Sequence, residues 1–172
     1  SYKAPAREIT LREKGRGARS NATGRYEPLT REQSDEDWDA LPAEDQRARR
    51  TKVTIERPRT IINKVTSPYV GFTRSINPYR GCEHGCVYCF ARPTHAHLGL
   101  SPGLDFETRI LAKPRAPELL ADALRRKSYV PDVIAIGTNT DPYQPIEKDR
   151  QIMRAVLRVL AEHRHPVGIA TK

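Results

Sequence analysis

Three cysteines lie within eight consecutive positions of the chain. Cys82, Cys86 and Cys89 are spaced C-x3-C-x2-C, and the 172-residue sequence contains no further cysteine. Thiolates this close together can wrap one small inorganic cluster, and Gly81 and Gly85 permit the tight turns that this requires. A cluster held wholly by protein would use four cysteines. The loop therefore predicts an iron–sulfur cluster with one iron open to an exogenous ligand.

Zinc is the alternative metal for this loop. The three cysteines together with His84, His95 or His97 could supply a tetrahedral Cys3His site. Zinc sites more often use C-x2-C pairs that are separated in sequence, so the close triplet favours the iron–sulfur cluster. We interpret His95 and His97 as surface histidines of a loop, which is the commoner state of such residues.

The composition narrows the class of protein. No run of about 18 apolar residues is present, so we expect no membrane-spanning helix and no membrane partner. The N-terminus has no apolar stretch of the secretory kind. Three cysteines in one short loop also differ from the even, dispersed cysteines of a secreted disulfide framework. These features predict a reducing, cytoplasmic location.

Positive charge gathers around the cysteines. The formal net charge is +9, and residues 51–100 carry seven basic and two acidic side chains. A positive surface attracts an anionic partner, and nucleic acid is the commonest one. Basic residues could equally offset the anionic thiolates or form a solvated face. Nucleic acid is therefore a candidate partner and no more.

The chain divides into two parts. Residues 1–50 are rich in charge, and their large aliphatic side chains are limited to Ile9, Leu11, Leu29 and Leu41. We predict that residues 1–50 form a charged, mostly disordered tail, because so little apolar surface cannot offset the entropy of ordering. Residues 51–172 form the folded domain.

A repeating pattern of strands and helices follows the cysteine loop. Short strands are predicted at Val53 and Ile55 and at residues 109–113, and an extended segment at residues 69–76. Beyond them come a helix from Pro117, a buried strand at residues 133–136, a helix with Ile152 and Val156 at core spacing, and a buried strand at residues 167–170. This alternation predicts an α/β fold with parallel strands. Since no helix follows the last strand, we expect a truncated chain whose C-terminal half is a missing partner.

Two segments together resemble a known family. Residues 77–90, in which Tyr88 directly precedes the third cysteine, and GTNTDPYQP at residues 137–145 resemble the radical S-adenosylmethionine superfamily. The resemblance is to its spore photoproduct lyase-like branch, often described as DNA repair photolyase-like, and it covers residues 51–172. It implies that the chain is the N-terminal portion of a partial (β/α)6 barrel.

The resemblance also implies cofactors and their ligands. Cys82, Cys86 and Cys89 would hold a 4Fe-4S cluster whose open iron binds S-adenosyl-L-methionine. An external electron donor would reduce the cluster, and cleavage of the cofactor would give a 5′-deoxyadenosyl radical that abstracts hydrogen. The resemblance further implies which residues bind S-adenosylmethionine. Tyr88, within the cysteine loop, would lie against the adenine. The others follow predicted strands and are Thr138, Asn139, Thr140, Asp141 and Lys172.

Three functions are open at this point. The leading one is a radical S-adenosylmethionine enzyme with an unknown substrate, inactive while its C-terminal half is absent. The hydrogen-donor residue is unknown, because spore photoproduct lyase uses a further cysteine and this chain has no fourth. The second is a zinc-stabilised nucleic-acid-binding module without catalysis. The third is a cluster used for electron transfer alone, which would not respond to S-adenosylmethionine.

Overall fold

Two small β-sheets meet at the segment that leads into the cysteine loop. The computed structural model describes residues 16–18 and 50–172. In the first sheet, β1 (Lys52–Ile55) pairs with β5 (Arg109–Ala112), which pairs with β4 (Tyr79–Arg80). The second sheet has four strands in the order β2 (Asn63–Lys64), β3 (Arg74–Ile76), β6 (Ile134–Ile136) and β7 (Val167–Ile169).

The strand directions are mixed. Parallel pairs form between β1 and β5, between β3 and β6, and between β6 and β7. The α/β class and its parallel strands are therefore confirmed. The sheets are mixed, because β2–β3 and β4–β5 are antiparallel. The first of these pairs is joined directly by a short connection, which cannot make the crossover that a parallel pair needs. The described residues form no closed barrel.

Helices connect the strands and cover one side of the core. A 3₁₀ helix at Arg92–Leu98 and α1 (Leu104–Thr108) follow the cysteine loop. The later helices are α2 (Ala116–Leu124), α3 (Glu147–Arg150) and α4 (Ile152–Glu162). Helices α2 and α4 pack on each other, and both were predicted from their apolar periodicity. None of the described helices is long and apolar enough to cross a membrane.

One apolar core joins both sheets to α2 and α4. Its centre is made of branched aliphatic side chains on the strands, which fit the pleated surface, and of the inner faces of the two helices. The fourteen buried members are Ile61, Ile76, Tyr79, Ile110, Ala112, Ala116, Leu120, Ile134, Ile136, Ile146, Ile152, Met153, Val156 and Leu160. Because the core holds the carboxyl ends of β3 and β6 together, it fixes the loops that follow them.

Three sequence-based expectations fare differently. The last strand was expected to be buried, but all of β7 is exposed because it lies at the edge of its sheet. The extended segment at residues 69–76 contains a strand at Arg74–Ile76 alone, and Tyr69 lies in an exposed turn. The predicted disorder of residues 1–50 falls outside the described residues, except at 16–18 and Arg50.

Candidate functional site

The cysteine loop leaves the first sheet directly after β4. Cys82 is buried and Cys86 and Cys89 are half-buried. The amide of Cys82 donates to the carbonyl of Phe106 at 2.9 Å, which anchors the start of the loop to α1. Gly81 has φ +79°, and a Cβ there would lie 2.9 Å from the end of Ile110. Glycine is therefore required where the chain turns from the strand into the loop.

Gln144 clamps the loop on both sides of Cys82. Its side chain is fully buried, and its Oε1 accepts the amide N–H of Glu83 at 2.9 Å. Its Nε2 donates to the carbonyl of Gly81 at 3.2 Å. One side-chain amide thus satisfies the peptide groups that flank the first cysteine and ties the loop to the segment after β6.

Glu83 makes the reciprocal connection. This buried carboxylate accepts the amide N–H of Ile146 at 2.8 Å and the hydroxyl of Thr51 at 2.5 Å. Arg16 lies 3.4 Å from the same carboxylate. Together, Glu83 and Gln144 join residues 81–83 to residues 144–146 through three hydrogen bonds.

A buried carboxylate on α1 binds the described part of the N-terminal region. Glu107 is fully buried and accepts the backbone amides of Arg16 at 2.6 Å, Gly17 at 3.1 Å and Ala18 at 2.6 Å. Residues 16–18 therefore contact α1, although they lie within the segment that was predicted to be mostly disordered. The physical reason is that three consecutive N–H groups converge on one carboxylate, which local composition does not reveal.

Arg92 links the same carboxylate to the cysteine loop. Its guanidinium lies 2.5 Å from Glu107 and donates to the carbonyl of Gly85 at 2.6 Å. It also donates to the carbonyl of Cys86 at 2.9 Å. Gly17 approaches so closely that a Cβ there would overlap the carbonyl oxygen of Gly85. The middle of the cysteine loop is thus held between Arg92 and residues 16–18.

The segment after β6 lies against the start of the cysteine loop. Asn77 donates from Nδ2 to Thr138 at 3.1 Å and accepts the amide of Asn139 at 3.0 Å. The buried hydroxyl of Thr140 donates to the carbonyl of Tyr79 at 3.1 Å. Because its proton is already used in that bond, Thr140 could offer a ligand its oxygen lone pairs alone.

Asp141 joins the ends of β6 and β7 to the cysteine loop. Its carboxylate accepts the amides of Tyr143 and Lys172, both at 2.8 Å, and the hydroxyl of Thr171 at 2.9 Å. His84 of the cysteine loop lies 3.5 Å from the same carboxylate. The structure therefore brings Asp141 and Lys172 together beside the cysteines. The carboxylate of Asp141 serves to position the protein chain here.

The environment of Cys82 combines burial with hydrogen-bond donors. Burial raises the pKa of the Cys82 thiol, and backbone hydrogen bonds from Asp141 and His84 to its sulfur oppose that rise. Such amide donors stabilise the thiolate, which is the form that binds metal. The same kind of bond tunes the potential of iron–sulfur clusters.

The metal-binding expectations stay predictions. Among residues 16–18 and 50–172, no three His, Cys, Asp or Glu side chains lie close enough together to hold a metal ion. The thiols on one loop and the amide donors to Cys82 fit an iron–sulfur cluster in chemistry, without forming a preassembled site.

The three histidines considered as zinc ligands have different surroundings. His95 was expected on the surface but is fully buried against Phe106, with ring centroids 5.2 Å apart. Its Nε2–H donates to the carbonyl of Arg109 at 3.0 Å, since a carbonyl can only accept. His84 is paired with Asp141, while His97 is exposed as expected. Nε2 of His95 is thus occupied by a carbonyl, while its Nδ1 is buried without a hydrogen-bond partner in the described part of the chain.

An exposed apolar strip lies at the far end of the cysteine loop. Tyr88, implied to contact adenine, is 81% exposed, and Val87 and Phe90 are also largely exposed. Their side chains are available to a ligand or a partner, whereas the polar residues at strand ends mostly contact the protein itself.

Sequence reasoning missed the residues that hold the loop in place: Glu83, Arg92, Glu107 and Gln144. Gln144 lies within the segment that carried the family resemblance, but no role was assigned to it. Its partners are 61 and 63 residues away, so local spacing could not identify them. The sequence offered one weak signal for them: each is a polar residue within a stretch that is otherwise apolar or rich in turn-forming residues.

Proteins of similar sequence occur in bacteria and archaea. Proteins from Mycobacterium tuberculosis and Mycobacterium bovis are each 42% identical over 115 residues, which is 66% of this chain and 34% of the relative. A protein from Methanocaldococcus jannaschii is 27% identical over 121 residues, covering 70% of this chain and 41% of the relative. All three are named as uncharacterized. The chain spans about a third of the length of the mycobacterial relatives it matches.

No family model matches the chain. No solved structure matches it either.

Proposed function

We propose that the chain is the N-terminal portion of a radical S-adenosylmethionine enzyme, of the spore photoproduct lyase-like branch. Cys82, Cys86 and Cys89 would hold a 4Fe-4S cluster, and the segment after β6 would line the S-adenosylmethionine site. When bound, the cluster would supply the electron that cleaves S-adenosylmethionine to a 5′-deoxyadenosyl radical. The substrate class is open, with nucleic acid a candidate because of the basic charge around the loop.

The contact between the cysteine loop and the end of β6 carries this proposal. Gln144 holds the peptide groups on both sides of Cys82, and His84 of the loop lies 3.5 Å from the carboxylate of Asp141. Sites in folds with parallel strands lie at the carboxyl ends of those strands. A cluster on this loop would therefore lie beside the residues that follow β6 and β7.

The finer fold belongs to the same proposal. Strands β3, β6 and β7 are parallel neighbours, and α2 and α4 both lie in the connections between them. This arrangement is consistent with successive units of a partial (β/α)6 barrel whose remaining units lie elsewhere in the protein. We further propose a cytoplasmic location, where an external donor could supply electrons to an oxygen-sensitive cluster.

The chain's own residues would position and shield the cluster. Gln144 and Glu83 fix the first cysteine, while Arg92 and residues 16–18 hold the peptide groups near the second. Amide donors at Cys82 would favour its thiolate. Lys172, which follows β7, would present a cation to the carboxylate of the methionine moiety.

Metal analysis of anaerobically purified and reconstituted full-length protein tests the proposal. We expect about four iron and four sulfide per chain, with an absorption and electron paramagnetic resonance signal that changes when S-adenosylmethionine is added. Cys82→Ala, Cys86→Ala or Cys89→Ala should each lose most of the iron, whereas Val87→Ala in the same loop should retain it. Stoichiometric zinc without iron would instead indicate the zinc module. A cluster that ignores S-adenosylmethionine would indicate electron transfer.

A further inference from the structure

A cavity of about 510 Å³ lies at the opposite end of the strands from the cysteine loop. It is formed by α2, the turn that follows it and the segment before β2. Arg74, the first residue of β3, and Val130, shortly before β6, both line it. The cysteine loop lies at the carboxyl ends of the strands, so this cavity is separate from the site described above.

Three guanidinium groups line this one cavity. They belong to Arg59, Arg74 and Arg126. Neither Arg59 nor Arg126 makes an ion pair with any residue in the described part of the chain, and both are exposed. Asp122 also lines the cavity, but its carboxylate lies 3.4 Å from Arg125. The cavity therefore carries an excess of positive charge.

One of the arginines is held in place. The guanidinium of Arg74 lies 4.8 Å from the centre of the Tyr129 ring and donates to the carbonyl of Val130 at 2.5 Å. The hydroxyl of Tyr129 lies 2.7 Å from Nε2 of His165. A guanidinium stacked on a fixed ring loses little freedom when it binds an anion.

The rest of the cavity wall is apolar in part, with Thr60 and Ser128 beside the aliphatic side chains. Ile61, Ile62 and Leu119 line it, and Ile61 is almost fully buried. A cavity of this volume is in the range that binds small molecules, roughly 300–1,000 Å³. Guanidinium groups recognise phosphate through paired hydrogen bonds, and an apolar wall suits a planar base.

We propose that this cavity binds a nucleotide unit, with its phosphate on Arg59, Arg74 and Arg126 and its base on the wall made by Ile62 and Leu119. The unit could be a free nucleotide or one residue of a nucleic acid strand, since both offer the same chemistry. This proposal does not depend on a cluster at the cysteine loop. Nucleotide binding here and the proposed radical S-adenosylmethionine function can therefore be refuted independently.

Titration calorimetry with three probes tests the proposal. The probes are adenosine, AMP and a ten-residue single-stranded oligodeoxyadenylate, at one fixed salt concentration because phosphate binding depends on salt. We expect AMP or the oligonucleotide to bind at least about tenfold more tightly than adenosine, because the phosphate meets charged donors. Tighter binding of AMP identifies a free nucleotide, and tighter binding of the oligonucleotide identifies a strand.

Matched variants separate a built site from diffuse charge. Arg59→Ala with Arg126→Ala should weaken binding at least about tenfold, whereas Arg158→Ala, an exposed position on α4 outside the cavity, should change it little. Asp122→Asn should strengthen it by removing a carboxylate from the wall. Circular dichroism checks that each variant is folded. Equal losses in Arg158→Ala, or equal binding of adenosine and AMP, would overturn the proposal.

Discussion

Gln144 holds the peptide groups on both sides of Cys82 with a single buried side chain. It accepts from the amide of Glu83 at 2.9 Å and donates to the carbonyl of Gly81 at 3.2 Å. The first cysteine is therefore placed by a residue from the segment after β6. This relationship connects the two segments that carried the family resemblance.

Gln144→Leu should lower both the stability of the protein and the ability of the cysteine loop to retain iron. The change leaves the carbonyl of Gly81 and the amide of Glu83 without their partner, so the free energy of unfolding should fall by about 1–3 kcal/mol. Iron retention after reconstitution should fall as well. Chemical denaturation and iron analysis measure the two effects, with the exposed Lys148→Ala in the same region as the control. Unchanged stability and iron content would show that the clamp has no role.

Gly17→Ala should release residues 16–18 from the cysteine loop. The added Cβ would overlap the carbonyl oxygen of Gly85, and a clash of this kind costs about 1–3 kcal/mol. We expect faster amide exchange at residues 16–18 and around Gly85, measured by hydrogen–deuterium exchange. Gly71→Ala is the matched control, since nothing lies within 4 Å of a Cβ there. Equal exchange in both variants would contradict the observed contact.

Acidification should destabilise the protein through His95. Burial lowers the pKa of His95, partly opposed by its bond to the Arg109 carbonyl and by nearby Asp105. The folded-state pKa is thus below the unfolded value of about 6.5, so the unfolded chain binds more protons in that interval. Stability should fall as the pH drops below about 6.5, until the folded-state pKa is reached.

Denaturation curves between pH 5 and pH 8 measure that effect. His95→Gln should flatten the dependence on pH in this range, whereas the exposed His163→Gln should leave it unchanged. If His95→Gln keeps the full dependence, another group is responsible.

Lys172→Ala and Thr140→Val should have different effects in the full-length protein. The side chain of Lys172 is exposed, so its removal should not change the free energy of unfolding. Its removal should lower the affinity for S-adenosylmethionine by about tenfold, because the predicted ion pair with the cofactor is lost. Thr140→Val should lower stability by about 1 kcal/mol, because it removes the hydrogen bond to Tyr79. Equilibrium binding and denaturation separate the two. Unchanged affinity in Lys172→Ala would refute the predicted role of Lys172 at the cofactor.

Tyr79→Phe tests a buried polar contact beneath the cysteine loop. The hydroxyl of Tyr79 donates to the buried carboxylate of Glu147, and burial together with that carboxylate raises the pKa of Tyr79. Its removal leaves a buried carboxylate oxygen without a donor, so the free energy of unfolding should fall by about 1–3 kcal/mol. Tyr69→Phe, at an almost fully exposed turn, should have little effect in the same measurement.

The sequence by itself determined the local features of this protein. Apolar periodicity predicted α2 and α4, and a short aliphatic run predicted β6, because both signals reside in consecutive residues. The C-x3-C-x2-C spacing indicated a shared metal site for the same reason. The edge position of β7 and the burial of His95 were not predictable in this way, since each depends on which elements lie beside them.

The tertiary structure alone decided how the cysteine loop is held. Glu107 meets residues 16–18 across about 90 positions, and Gln144 meets Gly81 across 63. Each bond forms because a buried polar group must find a partner, and the partner is supplied by whichever segment the core brings near. The sequence therefore specified the three cysteines and their spacing, while the packing of two sheets and two helices specified which polar groups surround them.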